Sequence, residues 1–167
     1  MSTNLEIKIK LNSFDELEKD LEKINADFIK VLNQKDIYYK FDKGLLKLRI
    51  QNDEAELIRY LRDDSGKDRF SDFEYLYLPK ENSEDFFDKI FTTEAVVEKK
   101  RRLFMYDNTR IHLDEVKKLG KFLELETLVI KDKQDAIKRF NFLINKLQID
   151  FKNQIRNSYR DLILNKA

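Results

Sequence analysis

Charged side chains alternate with apolar side chains along nearly every run of residues in this sequence that is typical of a β-strand. In residues 4–11, Leu5 and Ile7 fall on one face of the predicted strand, and Glu6 and Lys8 fall on the other. Residues two apart point the same way from a strand, so the pattern predicts a sheet with one almost entirely ionisable face. The residues that share such faces are Glu6, Lys8 and Lys10; Lys47 and Arg49; Tyr60 and Arg62; Lys99 and Arg101; Arg110, His112 and Asp114; Glu124 and Glu126.

The predicted strands follow one another in runs, and only a few helices separate them. Strand patterns cover residues 4–11, 28–33, 36–41, 45–51, 55–63, 72–78, 95–106, 108–115 and 122–130, which we interpret as about eight strands. Helical spacing covers 13–25, 83–91 and 136–147, and we expect a last helix within 153–164. Strands that cluster in this way favour an α+β fold with an antiparallel sheet or barrel. Three glycines and one proline leave no flexible linker, so we expect a single domain over residues 1–167.

Two local patterns make sharper predictions about the helices. Ser13 and Glu16 have the spacing of a capping box, which predicts that the first helix begins at Ser13. In the second helix, Phe86, Phe87 and Ile90 are expected to face the core.

The composition excludes several classes of protein. Lysine and arginine number 33 and the acidic residues 32, and this near-neutral balance argues against a nucleic-acid partner. Without cysteine there is no disulfide scaffold or thiol catalysis, and one histidine excludes a centre with several histidine ligands. No apolar run has the length of a membrane span, and the start does not resemble a signal peptide. We therefore expect a cytoplasmic protein, as a monomer or homodimer, with no membrane partner.

A closed barrel would place the ionisable faces around a common interior. Removing unpaired charges from water costs several kcal/mol for each ion, and the carboxylates in the set are fewer than the cations. A bound triphosphate would supply the missing negative charge, because its oxygens suit both arginine and lysine. The carboxylates would then be free to hold Mg²⁺ or Mn²⁺, which prefer oxygen ligands.

Alternation alone also allows a second interpretation. Charged strand faces are commonly the solvated faces of an open sheet, connected by weak ion pairs. In residues 97–104 both faces are charged, since Glu98, Lys100 and Arg102 alternate with Lys99 and Arg101. The pattern therefore cannot choose the inner face of that strand.

An ordered set of motifs resembles the CYTH superfamily of triphosphate tunnel metalloenzymes, which includes class IV adenylyl cyclases and thiamine triphosphatases. The motif with the strongest resemblance is NTRIHLDEV at 108–116, followed by LGKFLELE at 119–126. The others, in order, are EIKIK at 6–10, QKDIYY at 34–39, LKLR at 46–49, LIRYLRDD at 57–64, RFS at 69–71 and VEKKR at 97–101. The ending NSYRDLI at 157–163 is similar to that of the cyclase-like branch.

The resemblance implies an eight-stranded antiparallel β-barrel flanked by helices, and it implies roles for individual residues. It selects Lys99 and Arg101 rather than Lys100 and Arg102 as inward-facing. The implied phosphate-binding residues are Lys10, Lys47, Arg49, Arg62, Lys99, Arg101 and Arg110, to which we add Lys8. The implied metal ligands are Glu6, Glu124 and Glu126, with Asp114 nearby, and the residues assigned to catalysis are Lys10, Arg101, Arg110 and Asp114.

We assign Tyr60 and His112 to substrate contact, and for each residue a purely structural role is the alternative. Tyr60 either packs against a base or uses its hydroxyl to orient Arg62. In the functional interpretation, His112 moves a proton or contacts a phosphate. In the plainer interpretation, it is a neutral side chain hydrogen-bonded between Arg110 and Asp114.

Lys8 departs from the family pattern E-x-E-x-K, in which the second glutamate ligates metal. Either Lys8 pairs with Glu124 or Glu126 and substitutes for one of two cations, or metal binding is impaired and the tunnel binds phosphate without efficient chemistry. We favour the first interpretation, because Glu6, Glu124 and Glu126 all remain.

The resemblance implies a metal-dependent enzyme that acts on a nucleoside or other organic triphosphate. In a cyclase reaction the ribose 3′ oxygen of ATP attacks the α-phosphorus, and pyrophosphate leaves. In a triphosphatase reaction water attacks the terminal phosphorus of thiamine triphosphate or tripolyphosphate. The remaining alternative is a non-catalytic sensor of a phosphorylated ligand, which the presence of Lys8 allows.

Overall fold

Eight antiparallel strands close into a barrel in the computed structural model, which describes residues 1–63 and 65–166. The strands are β1 (Ser2–Leu11), β2 (Asp27–Tyr39), β3 (Leu45–Gln51), β4 (Glu54–Asp63), β5 (Phe70–Leu78), β6 (Thr93–Tyr106), β7 (Thr109–Val116) and β8 (Gly120–Leu128). The helices are α1 (Asp15–Lys23), α2 (Ser83–Ile90), α3 (Lys133–Lys146) and α4 (Tyr159–Leu164). Around the barrel the strands follow the order β1-β5-β4-β3-β2-β6-β7-β8, which confirms the predicted α+β barrel.

The apolar face of the strands lies outside the barrel and is covered by helices. Leu5 and Ile7 of β1 pack in one cluster with Leu21 of α1 and with Phe140 and Leu143 of α3, and all five side chains are buried. Burying Leu5 and Ile7 against helices leaves the opposite face of β1, with Glu6 and Lys8, to point inward. The amphipathic helices therefore determine which side of the sheet becomes the interior.

The C-terminal segment closes one end of the barrel. β1 pairs with β5 only over Ser2–Leu5, and further along β1 the backbone N–H of Ile155 donates to the carbonyl of Lys8. Tyr159, at the start of α4, is buried against Val97 and Phe122 inside this end. At the opposite end, where β5 ends and β2 begins, no helix of the described residues packs inside the barrel in this way.

Three local predictions were wrong, and a fourth was right only in part. Residues 28–33 and 36–41 belong to one continuous strand, β2, because the polar stretch between them pairs with both β3 and β6. The first helix begins at Asp15 without a capping box, since the Ser13 hydroxyl accepts only from the Asp15 N–H. Phe86 and Ile90 are exposed, and only the ring of Phe87 packs inward, against Tyr39 and Phe91. The last helix covers only Tyr159–Leu164 of the expected 153–164, because Ser158 caps it in a capping box with Asp161.

None of the helices in the described part of the chain combines the length and the apolar run that a membrane crossing needs.

Replacing Gly44 by alanine is expected to cost more stability than the same change at the other two glycines. Gly44 turns the chain from β2 to β3 with a φ of +105°, and an added Cβ would lie 2.6 Å from the carbonyl oxygen of Tyr60. In Gly120→Ala the new Cβ has no neighbour within 4 Å, and only the positive φ causes strain. In Gly66→Ala the φ is not positive, and the atom nearest to the new Cβ is 3.7 Å away. Urea unfolding should show a loss of about 1–3 kcal/mol from backbone strain in Gly120→Ala, a larger loss in Gly44→Ala, and little change in Gly66→Ala. Equal losses in all three variants would contradict this assignment.

Candidate functional site

The inward faces of the strands surround a cavity of about 340 Å³. Its charged lining comes from every strand except β5 and contains twice as many cations as carboxylates. The cations are Lys8, Lys30, Lys47, Arg49, Arg62, Lys99, Arg101 and Arg110, and the carboxylates are Glu6, Glu56, Glu124 and Glu126. Two further carboxylates, Asp36 and Asp114, lie fully buried behind this lining. Cations therefore remain in excess even when every inward carboxylate is counted.

Asp36 gathers three cations on one wall of the cavity. Its carboxylate accepts from Lys47 Nζ at 2.9 Å, from Lys99 Nζ at 2.8 Å, and from Arg49 Nε and Nη2 at 2.7 and 2.8 Å. Burial alone would raise the pKa of Asp36, but Arg49, Lys47 and Lys99 hold it well below its usual range. Burial lowers the pKa of Lys47 to about 7 and that of Lys99 to about 8. One buried anion therefore positions three cations that a phosphate chain can reach.

Arg101 is held from behind by Asp114 and faces Glu124 in front. Its Nε and Nη2 donate to the two oxygens of Asp114, both at 2.6 Å, and Nη2 also donates to Glu124 at 2.7 Å. The hydroxyl of Tyr159 donates to Asp114 at 2.8 Å, so α4 also fixes this carboxylate. Asp114 does not line the cavity, so it acts on a ligand only through Arg101.

The acidic side of the cavity is formed by β1, β7 and β8. Glu6 pairs directly with Glu126 in the register of β1 and β8, and Arg110 donates to Glu126 at 2.8 Å. Burial and the neighbouring Glu126 raise the pKa of Glu6 to about 7. Burial would raise the pKa of Glu126 as well, but Arg110, His112 and Arg101 together outweigh it and lower this pKa to about 2. Glu126 has an ion pair with arginine, whereas Glu6 has none among the described residues, so the two facing carboxylates form a place where a cation would be stabilised.

Lys8 occupies the middle of the acidic side. Its ammonium lies 3.1 Å from Glu124 Oε1, donates to the carbonyl of Asn157 at 3.0 Å, and stands 4.1 Å from the centre of the Tyr159 ring. Burial and Lys8 act in opposite directions on Glu124, and the net effect is a pKa well below its usual range. The structure therefore gives Glu124 two cationic partners, Lys8 and Arg101, before any ligand binds.

His112 lies between the two glutamates of β8. Its Nδ1 is 3.7 Å from an oxygen of Glu126 and 3.9 Å from an oxygen of Glu124, and it has no hydrogen-bond partner among the described residues. Burial lowers the pKa of the imidazole, so the ring is neutral near pH 7. Nδ1 therefore does not make the hydrogen bond to Arg110 or Asp114 that the plainer interpretation of His112 expected. Ligand atoms of His112, Glu124 and Glu126 lie within 4.8 Å of one another, which is compatible with one bound metal ion.

Arg62 and Tyr60 meet through the ring of the tyrosine, not through its hydroxyl. The Arg62 guanidinium lies 5.0 Å from the ring centre, whereas the hydroxyl of Tyr60 donates to Tyr38 at 3.4 Å. The Nε of Arg62 is buried and has no hydrogen-bond partner among the described residues. Arg62 therefore presents a donor group that a bound phosphate can satisfy.

The structure brings most of the predicted site residues together, with two exceptions. Lys10 is exposed beyond the closed end, with its ammonium 5.9 Å from the ring centre of Phe122, so it does not line the cavity. Asp114 lies behind Arg101 instead of facing the cavity. Sequence reasoning missed Asp36, although its alternation with Gln34 and Tyr38 could have placed it on the inner face.

Comparison with known proteins supports the likeness that the motifs suggested. Residues 2–159 match the family model described as the CYTH domain. A Methanocaldococcus jannaschii protein named "putative adenylate cyclase" is 29% identical over 175 residues, which cover 95% of this chain and 97% of that protein.

Solved structures share the fold at low sequence identity. A Pyrococcus horikoshii OT3 protein superimposes with a TM-score of 0.82 at 21% identity, covering 95% of this chain and 98% of its own. A Hippeastrum protein described as revealing a dominant triphosphatase activity superimposes with a TM-score of 0.72 at 11% identity, covering 99% of this chain and 96% of its own.

Proposed function

The chain belongs to the CYTH domain family, and from this membership and the charged cavity we propose that it is a metal-dependent enzyme acting on a nucleoside or other organic triphosphate. The reaction that we propose first is the conversion of ATP into cyclic AMP and pyrophosphate, as in class IV adenylyl cyclases. The observation that carries the proposal is the excess of cations over carboxylates around one cavity. A polyphosphate chain supplies the counter-charge and the many acceptor oxygens that this lining lacks.

Five of the eight cations fall into two groups with different tasks. Lys47, Arg49 and Lys99 are held together by Asp36 and would grip one part of the phosphate chain. Arg101 and Arg110 lie beside the acidic residues and would stabilise charge on the phosphoryl group that reacts. Because their carboxylate partners hold these side chains before the ligand arrives, little reorganisation is needed during the reaction.

The acidic side fits one divalent cation. The partnerless Nδ1 of His112 and the facing pair Glu6 and Glu126 supply suitable donor atoms, whereas Glu124 is already neutralised by Lys8 and Arg101. We propose that Glu126 and His112 hold a single Mg²⁺ or Mn²⁺, with Glu6, opposite Glu126 in the sheet, as a further oxygen donor. When bound, such an ion would neutralise oxygens next to the reacting phosphorus. The ammonium of Lys8 stands in for a second positive charge at Glu124.

A triphosphatase is the second candidate, and it is supported by the fold shared with the Hippeastrum protein. The same cations would serve both reactions, since each depends on positioning and on stabilising phosphoryl charge. The two reactions differ in which phosphorus lies next to the acidic side. Chromatography of the products distinguishes them, because the cyclase releases pyrophosphate and the triphosphatase releases orthophosphate.

Lys99→Ala and Glu126→Ala are each expected to lower kcat/KM for the active triphosphate by about 100-fold or more, because each removes a charge that faces the phosphates or the metal. The wild type should be assayed with ATP, thiamine triphosphate and tripolyphosphate, each with Mg²⁺ and with Mn²⁺. Lys117→Ala and Glu98→Ala are matched controls, since these residues form an exposed pair outside the cavity. Both controls should retain wild-type activity.

Two results would count against an enzyme. Full activity in both Lys99→Ala and Glu126→Ala would separate the reaction from the cavity. Tight, metal-independent binding of a triphosphate in calorimetry, with no product formed, would favour the non-catalytic sensor.

A further inference from the structure

Strand β5 carries three aromatic rings in succession on its inner face. Phe73, Tyr75 and Tyr77 all line the cavity, and their ring centres are 6.5 Å apart between the first two and 5.2 Å apart between the last two. Phe73 belongs to the apolar cluster at the closed end, but Tyr75 is 49% exposed and Tyr77 is 69% exposed. Large aromatic faces left open inside a binding cavity are not explained by core packing.

The register of the sheet places these two tyrosines beside the phosphate-gripping cations. Across β3, β4 and β5, Lys47 pairs with Ile58, and Ile58 pairs with Tyr75. One step nearer the open end, Arg49 pairs with Glu56, and Glu56 pairs with Tyr77. Each tyrosine is therefore two strands from a cation held by Asp36, a separation of about 10 Å. This is the length scale on which a ring and a phosphate chain of one small molecule can both bind.

Other apolar side chains accompany the tyrosines in the lining. Ile58 of β4 lies between the cations of β3 and the aromatic rings of β5. Leu32 and Leu103 line the cavity from β2 and β6. An inorganic polyphosphate gains nothing from contact with such apolar surfaces, since all of its atoms are charged or polar. A planar ring does gain from this contact, because it stacks on aromatic faces and removes apolar area from water.

We propose that Tyr75 and Tyr77 form a subsite for the planar aromatic ring of an organic triphosphate and select it over inorganic tripolyphosphate. This inference rests on the proposed function, since it presumes that the phosphates bind at Lys47, Arg49 and Lys99. A nucleobase and the ring system of thiamine share the required chemistry. The substrate is therefore a triphosphate ester whose ring lies at the open end of the barrel.

The test compares ATP, thiamine triphosphate and tripolyphosphate as ligands in calorimetry with Mg²⁺. Tyr75→Ala and Tyr77→Ala should each raise the Kd for the ring-bearing ligand by roughly 5- to 100-fold, and the preference for it over tripolyphosphate should fall by the same factor. Tyr75→Phe should restore the preference, because the ring face remains. Phe142→Ala is the matched control, since Phe142 has the same 49% exposure but lies on α3, outside the barrel.

A fluorescent reporter keeps the test decisive if an alanine variant folds poorly. The chain contains no tryptophan, so Tyr77→Trp introduces a single one at the open end. Binding of the ring-bearing ligand should quench its emission, and tripolyphosphate should not. Equal affinity of the wild type for all three ligands, together with unchanged emission, overturns the ring subsite while leaving the phosphate site standing. Failure of every triphosphate to bind the wild type overturns the proposed function and this inference together.

Discussion

Asp36→Asn is expected to lower the free energy of unfolding by about 3–5 kcal/mol at pH 7, because it leaves buried cations without their anion. Asp36 is fully buried and is the carboxylate partner of Lys47, Arg49 and Lys99. The amide has nearly the same shape, so the loss reports the missing charge rather than a cavity. Urea unfolding followed by circular dichroism measures it.

Acid titration adds an independent signature of the same residue. The cations hold the pKa of Asp36 well below its usual range, so its contribution to stability is complete above an unfolded-state pKa of about 4. That contribution is lost as the pH falls toward the folded-state pKa. The wild type should therefore lose stability more steeply than Asp36→Asn below about pH 4, and the difference between the two proteins should shrink.

A surface carboxylate provides the control for Asp36. Asp53→Asn removes an acid that is fully exposed and pairs only with Lys80, so its free energy of unfolding should match that of the wild type. Tripolyphosphate should stabilise Asp36→Asn more than it stabilises the wild type, since the anion replaces the missing charge. Equal stability of Asp36→Asn and the wild type would mean that the three cations find other counter-charges.

Alternation in the sequence was sufficient to predict which side chains share a strand face, but the family resemblance was needed to choose a closed barrel over an open sheet. Leu5 and Ile7 lie outside under the helices, and Glu6 and Lys8 lie inside, because residues two apart share a face. In β6 both faces are charged, and there the family motif was needed to predict which face lies inside the barrel. Lys99 and Arg101 line the cavity, whereas Lys100 is exposed and Arg102 pairs with Glu18 of α1.

What the sequence could not provide is the register between strands and the depth of the cavity. The role of Asp36 depends on its position opposite Arg49 in β3 and near Lys99 in β6, and neither neighbour is close in the chain. Lys10 has the correct face, but it lies beyond the end that the C-terminal segment closes. A strand pattern indicates which side a residue takes, but only the assembled barrel shows whether the cavity extends that far.

Register also explains why the cations are better balanced than the composition of the strand faces suggested. Asp36 and Asp114 each lie behind the lining and pair with cations on neighbouring strands. Arg101 uses Asp114 and Glu124 at once, so an arginine that alternation treats as unpaired has two carboxylate partners. A triphosphate would supply the counter-charge for the remaining excess of cations, to which Arg62 belongs.

Lys8→Glu is expected to raise the number of Mn²⁺ ions bound from one to two. In the wild type the Lys8 ammonium lies 3.1 Å from Glu124 and neutralises it, so no second ion is needed there. The substitution changes the local charge by two units and leaves buried carboxylates facing one another, which should destabilise the metal-free protein by about 3–5 kcal/mol. Calorimetric titration with Mn²⁺ gives the number of sites directly.

Thermal unfolding tests the same replacement without relying on catalysis. Metal at 100 times its Kd stabilises a folded protein by about 2.7 kcal/mol for each site, so Mn²⁺ should raise the Tm of Lys8→Glu more than that of the wild type. Lys10→Glu is the matched control: it makes the same charge change on the same strand, but on an exposed side chain outside the cavity. Its metal stoichiometry should equal that of the wild type.

The activity of Lys8→Glu then separates the two roles that Lys8 can have. If the ammonium replaces one metal ion in a working site, the wild type is active with one ion and the variant gains little. If Lys8 marks a protein that binds triphosphates without efficient chemistry, the variant gains a large activity together with its second ion. A wild type that already binds two Mn²⁺ ions, with no change in the variant, would show that Lys8 occupies no cation position at all.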